Sequence, residues 1–291
     1  MKEELLLQAG LIVIDVANLS YRNYHAATWS REAEADWAVQ CGLLRDVANL
    51  AERFNCVRFA FCFDHGIPKR ADFHQGYKGS TAAETLVQTV VRKQMDKLYT
   101  ATLPGLYYTN LFRFERYEAD DLMAYLCRGV YPEGKTVLVS SDGDLNQLLG
   151  DNVIIYNPLA QRVTTAESLY TVYSLTPAEW VPFKAILGDK SDKIEGVPGV
   201  GEIGARNAVL NRPGRGMKRF NRLVDEHVNT VIHNRHMMKL PFPELCDLDL
   251  FWRLNNSRPD SETWDAYFRA RNWRGMVGRC PRHYKGKALS T

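Results

Sequence analysis

The chain has 291 residues, 45% of them hydrophobic, and a formal net charge of +3. That length holds one large domain or two modest ones around a full core, and no run approaches the ~18 apolar residues of a bilayer span. Six cysteines (Cys41, Cys56, Cys62, Cys127, Cys246, Cys280) without a CxxC or zinc spacing argue against a disulfide scaffold and a zinc module. The start MKEELLLQAGLIVID lacks the pattern of a secretory signal, so a reducing cytoplasm is expected, that of a host if the chain is phage-encoded.

In chain order, residues 11–15 (LIVID) read as a short buried strand. Residues 36–54 carry Trp37, Val39, Leu43, Leu44, Val47 and Leu50 near helical spacing, and 57–64 (VRFAFCFD) read as a second strand. Helical patterns follow at 82–103 and 119–129, then strands at 136–142 (TVLVSSD) and 152–157 (NVIIYN). Strands alternating with helices predict an α/β fold, with a mostly parallel central sheet covered by helices on both faces. After about residue 175 the pattern turns helical. The expected division is therefore an α/β catalytic region over 1–178 and a helical region over 179–291.

Nine acids fall in five short clusters, most of them where a predicted strand ends: Asp15, Asp64, Glu118 with Asp120 and Asp121, Asp142 with Asp144, and Asp189 with Asp192. Open parallel sheets bind ligands outside the carboxyl ends of their strands, so this topology would bring the acids together. Unpaired, they would raise one another's pKa. A divalent cation resolves the conflict, and all-oxygen ligands suit Mg²⁺ or Mn²⁺, two of which suit phosphoryl transfer. Taken singly, the clusters also have bland readings. EADD reads as helix capping, and SSDGD as a turn.

Two further segments point to a polyanion. DHGIPKRADFHQGYKGS places Lys69, Arg70, Tyr77 and Lys78 just past Asp64, and the next helix adds Arg92, Lys93 and Lys97; an ordinary solvated loop is the alternative. IEGVPGVGEIGAR sets Gly196, Gly199, Gly201 and Gly204 before Arg206 in a helix–hairpin–helix pattern. Its exposed N–H groups can hold phosphate without reading sequence; a merely structural hairpin is the alternative. The basic stretch Arg269, Arg271, Arg274, Arg279, Arg282, Lys285 and Lys287 reads as a polyanion contact or a solvated tail. No HExxH, G-x-S-x-G or Walker loop offers a rival chemistry.

In their order, the segments LIVIDVANLSYR, FDHGIPKR with GYKGS, YEADDLMAYL, SSDGDLNQLL and GDKSDKIEGVPGVGEIGA resemble the 5′-nuclease family from about residue 11 to 206. That family includes flap endonucleases, phage 5′→3′ exonucleases and ribonuclease H enzymes, and the 5′-nuclease domain of bacterial DNA polymerase I. The resemblance implies a PIN-like fold and a metal cluster of the nine acids named above. It places Lys78 close to the scissile phosphate and makes Arg70 a further basic contact. A helical gateway is implied between 78 and 118, and K⁺ at the hairpin. One departure stands out: relatives often carry Y-K-x-N-R, whereas here Thr81 occupies the place of the Arg. The chain carries no polymerase portion and so resembles a stand-alone phage enzyme.

The expected activity is metal-dependent hydrolysis of DNA near 5′ ends, flaps or junctions, in replication and primer or flap removal. The protein is expected to act as a monomer, with replication proteins as partners. Action on RNA–DNA hybrids, or binding of DNA junctions without catalysis, are the alternatives.

Overall fold

The computed structural model describes residues 9–27, 37–78, 86–129, 134–212 and 217–282. β1 (Ala9–Asp15) runs directly into α1 (Val16–Ala27). A π-helical turn at Trp37–Cys41 leads into α2 (Gly42–Arg53), which buries Leu43, Leu44, Val47, Leu50 and Ala51 along one face. β2 (Phe59–Cys62) follows, then α3 (Leu86–Lys97), a second π-helical turn (Leu98–Thr102), the single turn α4 (Leu103–Gly105) and β3 (Leu111–Phe112). The chain continues through α5 (Ala119–Leu126), β4 (Lys135–Val139), β5 (Val153–Asn157) and β6 (Arg162–Thr164).

These six strands form one sheet in the order β3-β2-β1-β4-β5-β6. All neighbours are parallel except β5 and β6. β1 is central, with Ile14 opposite both Phe61 and Val139. Its side chains alternate between faces: Ile12 and Ile14 join one apolar cluster, Leu11 and Val13 the other. Burial on both faces explains why β1 reads as a continuous apolar run rather than an alternating one.

The four expected strands are all present in this sheet. β2 and β4 stop short of Asp64 and Asp142 because the chain turns there, and both carboxylates accept backbone N–H groups. β3 and β6 were not expected; two or three residues are too few for a periodic signal.

Beyond the sheet come α6 (Ala166–Tyr173) and α7 (Pro177–Leu187), the latter started by a Thr176–Glu179 capping box with Pro177 in its first turn. α7 ends at Gly188, whose φ of +83° suits glycine, and a Cβ there would lie 2.3 Å from the Gly196 nitrogen. That close pass belongs to the hairpin of β7 (Gly188–Asp189) and β8 (Ile194–Glu195). α8 (Glu202–Val209), α9 (Met217–Glu226), α10 (Val228–Met238) and α11 (Ser261–Ala270) complete the fold. Asn234 of α10 clamps the hairpin by donating to the Ala185 and Glu195 carbonyls.

Residue 178 lies in the first turn of α7. One apolar cluster joins Leu11 and Val13 to Trp180, Phe183, Ile186 and Leu240; the other joins Ile12 and Ile14 to Trp264 and Phe268. The regions on either side of 178 thus contribute to both cores. Among the described residues, no helix is long and apolar enough to cross a membrane.

Candidate active site at the carboxyl edge of the sheet

Asp15 ends β1, and Asp64 and Asp142 follow the ends of β2 and β4. Because β1 lies between those two strands, Asp15 sits at the centre of the edge. Its Oδ1 accepts from the Asn18 N–H at 3.0 Å and its Oδ2 from Ser140 Oγ at 2.9 Å. Burial pushes the Asp15 pKa up to about 7, helped by the charges of Asp64 and Asp142 and opposed by those two hydrogen bonds. Asp64 accepts from the Ala119 N–H at 2.8 Å. Crowding by protein raises its pKa as well, with Lys78 acting in the opposite sense.

α5 supplies the densest group. Among the described residues, only Glu118, Asp120 and Asp121 bring three candidate ligand atoms within 4.8 Å of one another. Burial, then the neighbouring Asp121 charge, drives Asp120 well above the usual carboxylate range. Burial also works against the charge of Glu118, but Lys78 and Arg70 outweigh it and hold Glu118 below its ordinary value. Lys78 Nζ donates to Glu118 Oε1 at 2.6 Å.

The hairpin and α7 form a second group. Lys184 Nζ lies 3.1 Å from Asp144 Oδ1 and 2.5 Å from Asp189 Oδ2. Burial raises Asp144 to about 6 in spite of Lys184. At Asp189 burial loses to the Lys184 and Ser191 hydrogen bonds, and the pKa falls to about 2. Asp142 accepts from the Asp144 N–H at 2.8 Å. Asp192 links the two groups. Burial raises its pKa, Lys78 opposes that rise, and the charges of Asp189, Glu118 and Asp142 all act on it. The donors are hard oxygens throughout, and burial with mutual repulsion raises the pKa of Asp15, Asp64, Asp120, Asp144 and Asp192 where no cation fully offsets it. That chemistry fits a hard divalent cation.

Several expectations need correction. Arg70 does not face a phosphate: it is 2% exposed, and its guanidinium is bonded to Glu118, Asp121 and two backbone carbonyls. Asp121 has both oxygens on Arg70, and one also accepts the Phe242 N–H. Tyr77 is buried rather than open to DNA, and its hydroxyl lies 3.2 Å from Glu118 Oε2 and 3.3 Å from Asp192 Oδ2.

Among the glycines, Gly196 and Gly204 serve packing. A Cβ on Gly196 would lie 2.1 Å from the Leu187 carbonyl oxygen, and one on Gly204 would crowd Val200 at 3.2 Å. Gly201 opens onto free space, and Gly199, at φ +78°, would carry a Cβ only 3.8 Å from Leu223. The Arg206 Nε is buried without a hydrogen-bond partner among the described residues. Arg92, Lys93 and Lys97 are exposed on α3. In the basic stretch, Arg271 lies over the Tyr267 ring and Arg279 donates to Asn49. Lys285, Lys287 and the 79–85 part of the expected gateway, including Thr81, lie outside the described residues.

Sequence reasoning missed Lys184, Ser140 and Asn18. Lys184 had a signal, a lone cation one helical turn before GDKSD; a hydroxyl or amide that orients a carboxylate has none.

The sequence profile described as "5'-3' exonuclease, N-terminal resolvase-like domain" matches residues 10–174. The chain is 29% identical over 252 residues to a 5′-3′ exonuclease of Aquifex aeolicus, covering 84% of this chain and 80% of that one. It is 31% identical over 212 residues to the thermostable DNA polymerase I of Thermus aquaticus, covering 68% of this chain but only 23% of the polymerase. Its fold is similar to that of a bacteriophage T5 flap endonuclease solved with DNA and metal ions, with a TM-score of 0.63, 18% identity, and 92% of this chain and 97% of that one covered. From Gly10 in β1 to Ser174 just after α6, the profile takes in all six strands of the sheet and seven of the nine acids at its edge; the chain belongs to the 5′-3′ exonuclease family.

Proposed function

We propose that this protein is a structure-specific 5′ nuclease that hydrolyses DNA phosphodiesters near 5′ ends, flaps or single-to-double-strand junctions, acting as a monomer with Mg²⁺ or Mn²⁺ in primer or flap removal. The observation that carries this reading is the convergence of acids from β1, β2, α5, β4 and the hairpin on one edge of the sheet, with Lys78 among them. Asp15, Asp64, Glu118, Asp120, Asp121, Asp142, Asp144, Asp189 and Asp192 are the candidates to hold the ions, with the α5 group the most closely spaced. Two such ions supply an activated water and charge stabilisation of the departing oxygen when bound.

Lys78 has a distinct task. Its ammonium is 43% exposed on the side chain while paired to Glu118, so it can exchange that partner for a phosphate oxygen. A cation held there stabilises the charge that develops on the transferring phosphoryl group. Exposed Arg92, Lys93 and Lys97 on α3 suit an approaching strand. The Gly199–Gly201 turn ahead of α8 suits duplex phosphates, with K⁺ as a counter-ion there. Residues 1–178 would supply most of the acids, and 179–291 the duplex anchor together with Asp189 and Asp192.

The test is digestion of a 5′-labelled flap with Mg²⁺ and with EDTA. A short labelled product that requires Mg²⁺ is expected. An intact flap at high enzyme would leave a DNA-binding role. A matched RNA–DNA hybrid in parallel decides between DNA and RNA as the preferred strand.

A further inference from the structure

Arg70 has five N–H donors, and all five meet acceptors. Nε donates to the Met237 carbonyl at 2.9 Å. Nη1 donates to Glu118 Oε2 at 2.5 Å and Asp121 Oδ2 at 2.7 Å. Nη2 donates to Asp121 Oδ1 at 2.8 Å and the Lys239 carbonyl at 3.2 Å. The guanidinium also lies over the Phe242 ring, 4.9 Å from its centroid. Nothing is left over for a substrate phosphate, and the side chain is sealed from solvent.

The same contacts divide the three acids of α5. Asp121 is the acid held most fully by Arg70: its carboxylate meets the guanidinium through both oxygens, and Oδ1 also takes the Phe242 N–H at 2.8 Å. Glu118 has Oε2 on Arg70 and Oε1 on Lys78, which is half in solvent and can leave, and the neutral Tyr77 hydroxyl lies 3.2–3.3 Å from both oxygens. Asp120, on the same turn, has no bond to Arg70 and only a local one to the Asp121 N–H. The carbonyls of Met237 and Lys239 belong to the end of α10, where the last C=O groups lack intrahelical partners. One guanidinium therefore ties the end of α10 to the start of α5.

We propose that Arg70 is a positioning residue that withdraws Asp121 from metal coordination and orients Glu118 so that only Oε1 faces the cleft. This rests on the nuclease reading above. Asp121 acts as the counter-ion of Arg70, and the metal-holding acids of α5 are Glu118 and Asp120. A carboxylate accepts about four hydrogen bonds, and three of those places on Asp121 are taken by the bidentate Arg70 pair and the Phe242 N–H, so an ion there would compete with charge-assisted bonds that Asp120 does not have. Arg70 acts on chemistry by fixing Glu118, as outer contacts of metal ligands commonly do.

The deciding experiment is a crystal of the wild-type protein soaked in Mn²⁺, read by anomalous diffraction. The expected map has Mn²⁺ against Glu118 and Asp120, with Asp121 still on Arg70. Asp121 within about 2.2 Å of a Mn²⁺ ion would overturn the inference and leave the nuclease reading intact. Absence of any Mn²⁺ at this edge would overturn both. A second measurement uses Arg70→Lys, which keeps the charge but offers three donors from a single point. Turnover on a flap should fall about 10–100-fold, with flap affinity in Ca²⁺ changed less than about threefold and its salt dependence unchanged. A shallower salt dependence with turnover intact would make Arg70 a phosphate contact and reject the positioning role. If Arg70→Lys does not fold, the wild-type map still decides.

Discussion

Lys184 and Asp189 meet at 2.5 Å, across one turn at the end of α7, and the same ammonium reaches Asp144. Their side chains are only 14–16% exposed, so this is an internal counter-ion for two acids of the candidate site. Lys184→Met should destabilise the metal-free protein by about 2–4 kcal/mol, because it leaves two nearly buried carboxylates unpaired. Added Mg²⁺ should recover more stability in the variant than in the wild type. Urea unfolding in EDTA and in Mg²⁺ measures both. Equal stability of the two proteins in EDTA would show that Lys184 is not the counter-ion.

The raised acids make stability depend on pH in an unusual direction. Burial pushes Asp15 up to about 7 and Asp144 up to about 6, while in the unfolded chain both ionise near 4. Between about pH 4 and 7 the folded metal-free protein therefore holds more protons than the unfolded chain, and its stability falls as pH rises. Asp189, held near 2, adds the opposite trend only below that window. Melting temperature in EDTA should drop from pH 5 to pH 7.5. Saturating Mg²⁺ should reverse the drop, since the ion displaces those protons. A melting temperature in EDTA that rises across this range would contradict the assignment.

Lys78→Ala should lower turnover by about 10²–10³ with a much smaller loss of flap affinity. Its ammonium is paired to Glu118 in the resting protein, so its contribution appears when phosphate charge develops. Single-turnover rates, together with binding in Ca²⁺, separate the two effects. Weaker binding at normal turnover would assign Lys78 to substrate capture instead.

Gly201→Val gives a clean test of the turn before α8. No atom lies within 4 Å of the position a Cβ would take, and the backbone there is extended, with φ −88° and ψ −175°, so the fold should be kept. Affinity for duplex DNA should fall roughly tenfold regardless of sequence, since only backbone approach to phosphate is obstructed. Mn²⁺ binding should stay unchanged. Gly204→Val is unsuitable for this purpose, because its Cβ would lie 3.2 Å from Val200 inside the protein, with Phe220 already in contact beyond it. Unaltered duplex binding by folded Gly201→Val would shift attention to the exposed arginines after α11.

The sequence by itself determined the sheet and the identity of its acidic edge. Apolar runs such as residues 11–15 and 136–139 can be satisfied only by burial on both faces, and parallel strands joined by helices place Asp15, Asp64 and Asp142 on one edge. Local spacing also put Glu118, Asp120 and Asp121 on the first turn of a helix. What each charged side chain does there was decided only by the tertiary structure. Arg70 and Lys78 stand eight positions apart in one basic segment and look alike in sequence, yet one is sealed against α10 and the other reaches solvent. Asp120 and Asp121 are neighbours, and helix rotation turns one toward Arg70 and leaves the other beside it. Gly196 and Gly201 belong to one motif, but only the first lies against the end of α7. Burial, pairing and pKa depend on contacts between segments tens to more than a hundred residues apart, and those contacts leave no periodicity in the chain that carries them.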